Sequence, residues 1–298
     1  MAPHRRPKLG QHFLADPCFR QRIVDAVPFG GDELVVEIGP GRGAMTRLLV
    51  ERASRVVAIE LDEALVETLR REFQGEARLE VIEADILTTD IHRLCRERQA
   101  KSCFVFGNIP YYITSPILHH LFGFRASIHG MALLMQREVA TRIVAQTGRR
   151  DYGYLTVLAR TFSTPRLLLH VPRGAFSPPP QVTSTLVGFA MRPQSGDTSP
   201  TVPGTSGLRP RNWDPEQAER FLHFVQACFA QKRKRLLNNL GPLYGREAVE
   251  MELDRVGLAV EVRAEELDVE VLADLFAGLE KNSTTQLLDQ TEGKLGAS

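Results

Sequence analysis

The stretch Leu34-Val-Val-Glu-Ile38-Gly39-Pro40-Gly41-Arg42-Gly43-Ala44 decides the fold. Its first five residues, rich in Val and Ile, read as a strand buried on both faces. The glycines that follow allow a sharp turn and a close backbone approach to a ligand. Helical spacing then runs over 44–52. Working outward, 55–59, 79–82 and 102–106 read as further buried strands. Asp62 opens a helix in which Leu65, Leu69 and Phe73 recur at four-residue steps. Later strands are expected at 131–135, 166–170 and 184–190. This alternation predicts an α/β fold, a doubly wound, mostly parallel, Rossmann-like sheet with helices on both faces.

A composition break at Arg192 starts a Pro/Gly/Ser-rich stretch, read as a linker over 193–213. Asp214-Pro215-Glu216-Gln217 then has the residues of a helix start, and Trp213 before it reads as a hydrophobic staple. From there to Glu280 the pattern is helical throughout, predicting a small all-α domain over 214–281 behind an α/β domain over 1–192. The polar end, 282–298, reads as a frayed tail. Hydrophobic residues at 43% and charged residues at 24% are enough for a substantial core. No apolar run reaches the roughly 20 residues of a membrane span. The basic start lacks the apolar run of a secretory signal and the serine-rich character of a transit peptide, so a cytoplasmic protein is expected. The four cysteines, Cys18, Cys95, Cys103 and Cys228, are scattered without C-x-x-C pairs, against a zinc ribbon or disulfide framework. His119 and His120 are neighbours on an expected helix and point apart, so no metal site is expected from them.

The formal net charge of +1 conceals an asymmetry. From Gly241 onward there are 13 Asp/Glu against 5 Lys/Arg, a net of −8, which leaves +9 on the first 240 residues. The densest basic run is Lys232-Arg233-Lys234-Arg235, read as the start of a helix next to Asn238-Asn239. Such a run can neutralise phosphates and release counterions, or serve as a solvated helix face. Charge alone leaves both open.

Two cofactors fit the glycine loop. Gly39, Gly41 and Ala44 satisfy the G-x-G-x-x-G/A spacing of dinucleotide sites. Glu60, closing the second strand, is placed to bind ribose hydroxyls of either NAD or S-adenosyl-L-methionine (AdoMet). The Glu-Ile-Gly-Pro-Gly-Arg-Gly order matches the G-x-G-x-G loop of class I methyltransferases. Asp85 ends the third strand, where a carboxylate can accept from an adenine amino group. No hydride-transfer acid or base stands out for a dehydrogenase. AdoMet is the better fit.

The fourth strand runs into Asn108-Ile109-Pro110-Tyr111, an [Asp/Asn/Ser]-x-Pro-[Tyr/Phe] sequence. An exocyclic amino nitrogen is a poor nucleophile because its lone pair is delocalised into the ring. The Asn108 side-chain oxygen and the Ile109 carbonyl can accept its two N–H bonds and draw it toward a tetrahedral geometry. Pro110 fixes φ and adds no competing donor. Tyr111 offers a face on which a base can stack. Phe176 precedes a short proline run suited to stiffening a loop that presents it; the alternative is a core phenylalanine.

These residues resemble the ribosomal RNA adenine dimethyltransferases, whose members modify two adjacent adenines near the 3′ end of small-subunit rRNA. The resemblance extends to Lys8-Leu-Gly-Gln-His-Phe-Leu14, Ala175-Phe-Ser-Pro-Pro-Pro-Gln-Val182 and Phe229-Ala-Gln-Lys-Arg-Lys-Arg-Leu-Leu-Asn-Asn-Leu240. It thus spans about Lys8 to about Phe276. It implies AdoMet contacts from His12, Leu14, Gly39, Glu60, Asp85 and Asn108. It further implies that Tyr111 and Phe176 hold a flipped adenine between two aromatic faces. The basic run 232–235 would bind RNA, the partner would be small-subunit rRNA in an immature small ribosomal subunit, and the protein would be a monomer needing no metal. The family usually has Asn where this chain has His12, which introduces a titratable ring at the cofactor site. Two other readings predict different behaviour: a large-subunit rRNA methyltransferase of the erythromycin-resistance type, and an RNA-binding assembly factor with dispensable catalysis.

Overall fold

The computed structural model describes residues 12–192, 213–231 and 233–281, without the Tyr111 side chain. The linker over 193–212, the tail over 282–298, Lys232 and the first half of the Lys8–Leu14 motif lie outside the described residues.

The strands are β1 (Phe13–Leu14), β2 (Leu34–Ile38), β3 (Arg55–Glu60), β4 (Leu79–Glu83), β5 (Cys103–Asn108), β6 (Ile128–Gln136), β7 (Ser163–Val171), β8 (Phe176–Ser177) and β9 (Ser184–Met191). Seven form one sheet in the order β4-β3-β2-β5-β6-β9-β7. β4, β3, β2, β5 and β6 run parallel, and β9 lies antiparallel between β6 and β7. The centre is dry. Val35, Val36, Val56, Val57 and Val105 are 0% exposed, each stabilising by about 1.5–3 kcal/mol through burial. The sheet is the α/β arrangement that the sequence predicts. The helix after the glycine loop begins at Thr46, because the chain spends the preceding residues on the turn. Asp62 caps Glu63–Glu72, its Oδ1 accepting from Ala64 and Leu65.

The described residues fold into two compact units, one of 12–144 with 162–192 and one of 145–161 with the described part of 213–281. This departs from a single cut at Arg192. The segment 145–161 joins the helical unit because it is bonded and packed there. The Tyr152 hydroxyl donates to the Leu267 carbonyl at 2.8 Å, and the Gly148 N–H donates to the Glu265 carbonyl at 2.7 Å. Val157 is buried with Phe221, Phe224, Leu240 and Phe276.

Asp214 caps the first C-terminal helix, Pro215–Cys228, accepting from the Gln217 N–H at 2.8 Å. Trp213 packs on Phe221, 4.3 Å between ring centroids, one turn beyond the usual staple position. Helices Leu236–Tyr244, Arg246–Arg255 and 269–281 follow. The helical pattern is not continuous to Glu280. Gly245 and Gly257, at φ +84° and +73°, break it, and residues 256–268 hold turns and one short 3-10 helix, Ala264–Glu266. Among the described residues no helix is long and apolar enough to cross a membrane.

Candidate active site at the carboxyl ends of β2 and β5

β2 lies between β3 and β5, and the chain goes to β3 first and to β5 only after β4. The order reverses there, so the carboxyl ends of β2 and β5 flank the crevice where open α/β sheets bind ligands. Gly39, Gly41 and Gly43 have φ of +65°, +58° and +75°, a left-handed run that side chains resist. The loop is tied to β3. The Gly39 N–H donates to the Ile59 carbonyl at 3.0 Å, and the Gly41 N–H to Glu60 Oε2 at 3.1 Å. Space is short at two of them as well: at Gly41 a Cβ would press on the Phe13 ring at 3.0 Å, and at Gly43 it would clash with the Phe73 ring at 2.6 Å.

Glu60 is 7% exposed, and its Oε1 accepts from the N–H groups of Leu61 (2.9 Å) and Asp62 (3.0 Å). A carboxylate has about four lone-pair sites, so three bonds leave room for one more donor. Leu61 beside it is 58% exposed, an apolar surface at a strand end. Asp85 caps the turn Ile86–Thr88 by accepting from Leu87 with Oδ1 at 2.9 Å, which leaves Oδ2 able to accept from a ligand. An acid for hydroxyls, an apolar side chain and an acceptor for an amine fit an adenosine-bearing ligand such as AdoMet.

At the other edge of the crevice, Asn108 Nδ2 donates to the His12 carbonyl at 3.2 Å. That bond sets the amide orientation and turns Oδ1 away as an unspent acceptor. The Ile109 N–H donates to Leu134 at 3.1 Å, and the Ile109 side chain is 1% exposed, so the backbone here is anchored. Tyr111 begins the short turn Tyr111–Ile113 behind Pro110; its side chain lies outside the described residues. The two edges meet closely, for a Cβ on Gly39 would sit 3.7 Å from the Asn108 carbonyl oxygen.

The strand β1 brings His12 and Leu14 to this place by pairing antiparallel with β8, Leu14 opposite Phe176. The N–H groups of Ala15 and Asp16 both donate to the Ala175 carbonyl. His12 Nδ1 bonds to the Pro178 carbonyl at 2.8 Å, as an Asn amide could. Leu14 and Phe176, 5% and 4% exposed, belong to one apolar cluster with Val171, Ala175 and Leu186. Phe176 therefore has no open face, as expected of a core phenylalanine.

Two further residues stand at the crevice without having been singled out from sequence. Tyr112 is 63% exposed, next to the Asn108 turn. Glu37, inside β2, is 2% exposed; neither its Oε2 nor the Thr46 hydroxyl has a hydrogen-bond partner. Burial pushes the Glu37 carboxyl up to about 8; the Thr46 hydroxyl, near it but outside hydrogen-bond geometry, pulls it partly back, and the Glu60 charge adds to the rise. From sequence Glu37 stands out only as the first residue of the Glu-Ile-Gly-Pro-Gly-Arg-Gly order, which says nothing of its burial or missing partner.

In the helical unit Arg233, Lys234 and Arg235 are exposed. They form the turn before Leu236–Tyr244 rather than the start of the helix, since Arg233 has φ +66° and Arg235 is the N-cap. Asn239 reaches back to hold this turn, its Nδ2 donating to Cys228 at 2.7 Å and to Gln231 at 3.4 Å. Lys232 lies outside the described residues.

With the geometry in place, comparison with known proteins is informative. The family described as ribosomal RNA adenine dimethylase matches residues 3–201. The chain belongs to this family. A ribosomal RNA small subunit methyltransferase A of Acidobacterium capsulatum is 43% identical over 93% of this chain and 92% of its own. One from Koribacter versatilis is 37% identical over 94% and 96%. Among solved structures, a Plasmodium falciparum dimethyladenosine transferase shares the fold of this dimethylase-family chain, with TM-score 0.72 and 23% identity over 91% of this chain and 98% of that one. The 23S rRNA methyltransferase ErmE is similar at TM-score 0.62 and 28% identity over 90% and 99%.

Proposed function

We propose that this chain is an AdoMet-dependent rRNA adenine N6,N6-dimethyltransferase acting on two adjacent adenosines near the 3′ end of small-subunit rRNA, in the maturation of that subunit. The observation that carries the reading is the orientation of Asn108. Its amide nitrogen is spent on the His12 carbonyl, so its side-chain oxygen is left as an acceptor at the tip of β5, where the Asn108 backbone carbonyl borders Gly39.

AdoMet supplies, when bound, a methyl carbon made electrophilic by the sulfonium. Glu60, Asp85 and Gly39 would hold its adenosine and backbone-facing parts, with His12, Leu14 and Asn108 closing the site. On the substrate side, Asn108 Oδ1 and the Ile109 carbonyl would accept the two N–H bonds of the adenine amine. That concentrates the nitrogen lone pair toward the methyl carbon. With the donor bound there, an N–C bond would replace an N–H bond of the amine, and the displaced proton would pass to solvent. Alignment replaces a general base here. Pro110 keeps the tetrapeptide rigid, and Tyr111 would stack the flipped base. Phe176 is proposed to back that wall through its packing with Leu14; as an open second face it would have to leave its cluster. The turn with Arg233, Lys234 and Arg235, together with Lys232, would bind rRNA phosphates. We take the protein to act as a cytoplasmic monomer without a metal.

The greater likeness to small-subunit enzymes (43%) than to ErmE (28%), over similar shares of the chain, favours the small subunit over the large one. The test is radiolabelled methyl transfer to unmethylated small subunits, with native protein, Asn108→Ala and Tyr111→Ala. Label near the 3′ end of the small-subunit rRNA, lost in both variants, is expected. Label on large-subunit RNA alone would overturn the reading. An assembly role without catalysis predicts normal subunit maturation with Asn108→Ala and failure on deletion of the gene.

A further inference from the structure

Glu37 is unused by the mechanism above, yet it lies two residues before Gly39 on the strand that carries the glycine loop. It is almost fully buried, and its Oε2 has no hydrogen-bond partner. An ionised carboxylate in such a place is costly unless a positive charge comes to it. The groups that face it are few. From the following helix it is Thr46, whose hydroxyl is itself unpartnered; from the end of β3 it is the Glu60 carboxylate; on the β5 side its register neighbour is Phe106. None is a cation. Burial accordingly keeps Glu37 protonated through neutral pH, up to about 8. The proposed methyl donor differs from its demethylated product, S-adenosylhomocysteine, by one positive charge at sulfur.

We propose that Glu37 reads that charge: it is neutral in the empty cleft and beside the thioether product, and releases its proton to solvent when the sulfonium donor binds. The only bond that changes is the Glu37 O–H, and water takes the proton. Glu37 is then a specificity-determining residue that favours donor over product, so that the product leaves once the methyl has moved. The inference rests on the cofactor reading above. The sign follows from linkage. The ionised form prefers the cation, so donor affinity climbs with pH below the empty-cleft titration, toward about tenfold per pH unit, while product affinity stays flat.

The test is titration calorimetry of the full chain with AdoMet and with S-adenosylhomocysteine, between about pH 6 and 7.5, in two buffers of different ionisation heat. Expected is a net release approaching one proton per donor bound and none per product, with the donor-to-product affinity ratio rising about tenfold per unit. Glu37→Gln should bind both with pH-independent affinity and no proton release. Two measurements hold even if that variant binds poorly. Native stability should fall as pH rises from the ordinary carboxyl value of 4.5 toward 8, because only the folded state keeps the proton, and the variant should lack that slope. An infrared difference spectrum of native protein should lose a protonated-carboxyl band on adding AdoMet and keep it with the product. A flat native donor affinity, or a slope that survives in Glu37→Gln, overturns the proposal. If native protein binds neither ligand, it is the cofactor reading that fails.

Discussion

The crevice at the ends of β2 and β5 and the basic turn before Leu236–Tyr244 are both candidate contact sites, and they are built in opposite ways. In the crevice the groups are positioned by directed hydrogen bonds to buried or part-buried partners: Gly39 by the Ile59 carbonyl, Gly41 by the Glu60 carboxylate, Asn108 by the carbonyl of His12. In the turn, Arg233, Lys234 and Arg235 project from an exposed loop to which Asn239 reaches back, and among the described residues Arg235 has an acid nearby, Glu261 at 3.7 Å. Cations at a helix N-terminus face the positive end of its dipole, which disfavours them by a few tenths to about 1 kcal/mol each at an exposed site. An anion placed there reverses the sign. The contrast teaches that chemistry needs fixed directions, whereas capture of a polyanion needs only charge within reach.

The sharpest way to break this contrast is Asn108→Ala. It removes one directed acceptor and should lower kcat by about 10²–10³-fold, with RNA affinity within a few-fold of native by filter binding. An equal loss in both would mean that Asn108 works as a strut for His12 rather than as a partner of the reacting nitrogen.

Next in size is the glycine loop. Gly43→Ala combines left-handed strain of about 1–2 kcal/mol with overpacking of about 1–3 kcal/mol against Phe73. Urea unfolding should show a loss of about 3 kcal/mol. Gly75→Ala is the control: its φ is +87° but nothing lies within 4 Å of the added methyl, so strain acts alone and about 1 kcal/mol is expected. Equal losses would mean that the loop is glycine-rich for its backbone shape and not for its tight fit.

The parts of the molecule that were legible in the sequence are those with a local cause. β2, β3 and β5 announce themselves by short runs of Val, Ile and Phe, and Asp214-Pro215 marks a helix start through the cap itself. Glu60 and Asn108 could be singled out because each ends such a strand, and Asp85 because it follows β4 by two residues and opens the next turn. What stayed hidden depends on distant partners. A two-residue strand such as Phe13–Leu14 has no period to detect, so its pairing with Phe176–Ser177, and the burial of Phe176, came only with the fold. The segment 145–161 joins the helical unit through Tyr152 and Leu267, 115 residues apart. The isolation of Glu37 depends on what fails to reach it, which no motif records. The basic run was legible as charge, but its geometry was misjudged, since good helix formers gave no hint that Arg233 turns left-handed.

Within that run, Lys234→Ala should reduce RNA affinity a few-fold and lower the slope of log affinity against log salt by about 1, as one phosphate contact is lost. AdoMet affinity should not change. A slope equal to that of native protein would reduce Lys234 to a solvated surface residue.

The smallest effect expected is also the one that best separates stability from function. Arg233 holds φ +66°, a conformation that costs a side chain about 1 kcal/mol and glycine almost nothing. Arg233→Gly relieves that strain, while the freer unfolded chain takes back roughly 0.5–1 kcal/mol. Thermal unfolding should therefore move little in either direction. RNA affinity should still fall a few-fold, because one cation has gone from the helix N-terminus. A natural chain that keeps a strained arginine where glycine would fold as well is accepting that strain for the charge. If Arg233→Gly binds RNA as native protein does, the strain has some other cause and the turn loses its strongest claim to the phosphate backbone.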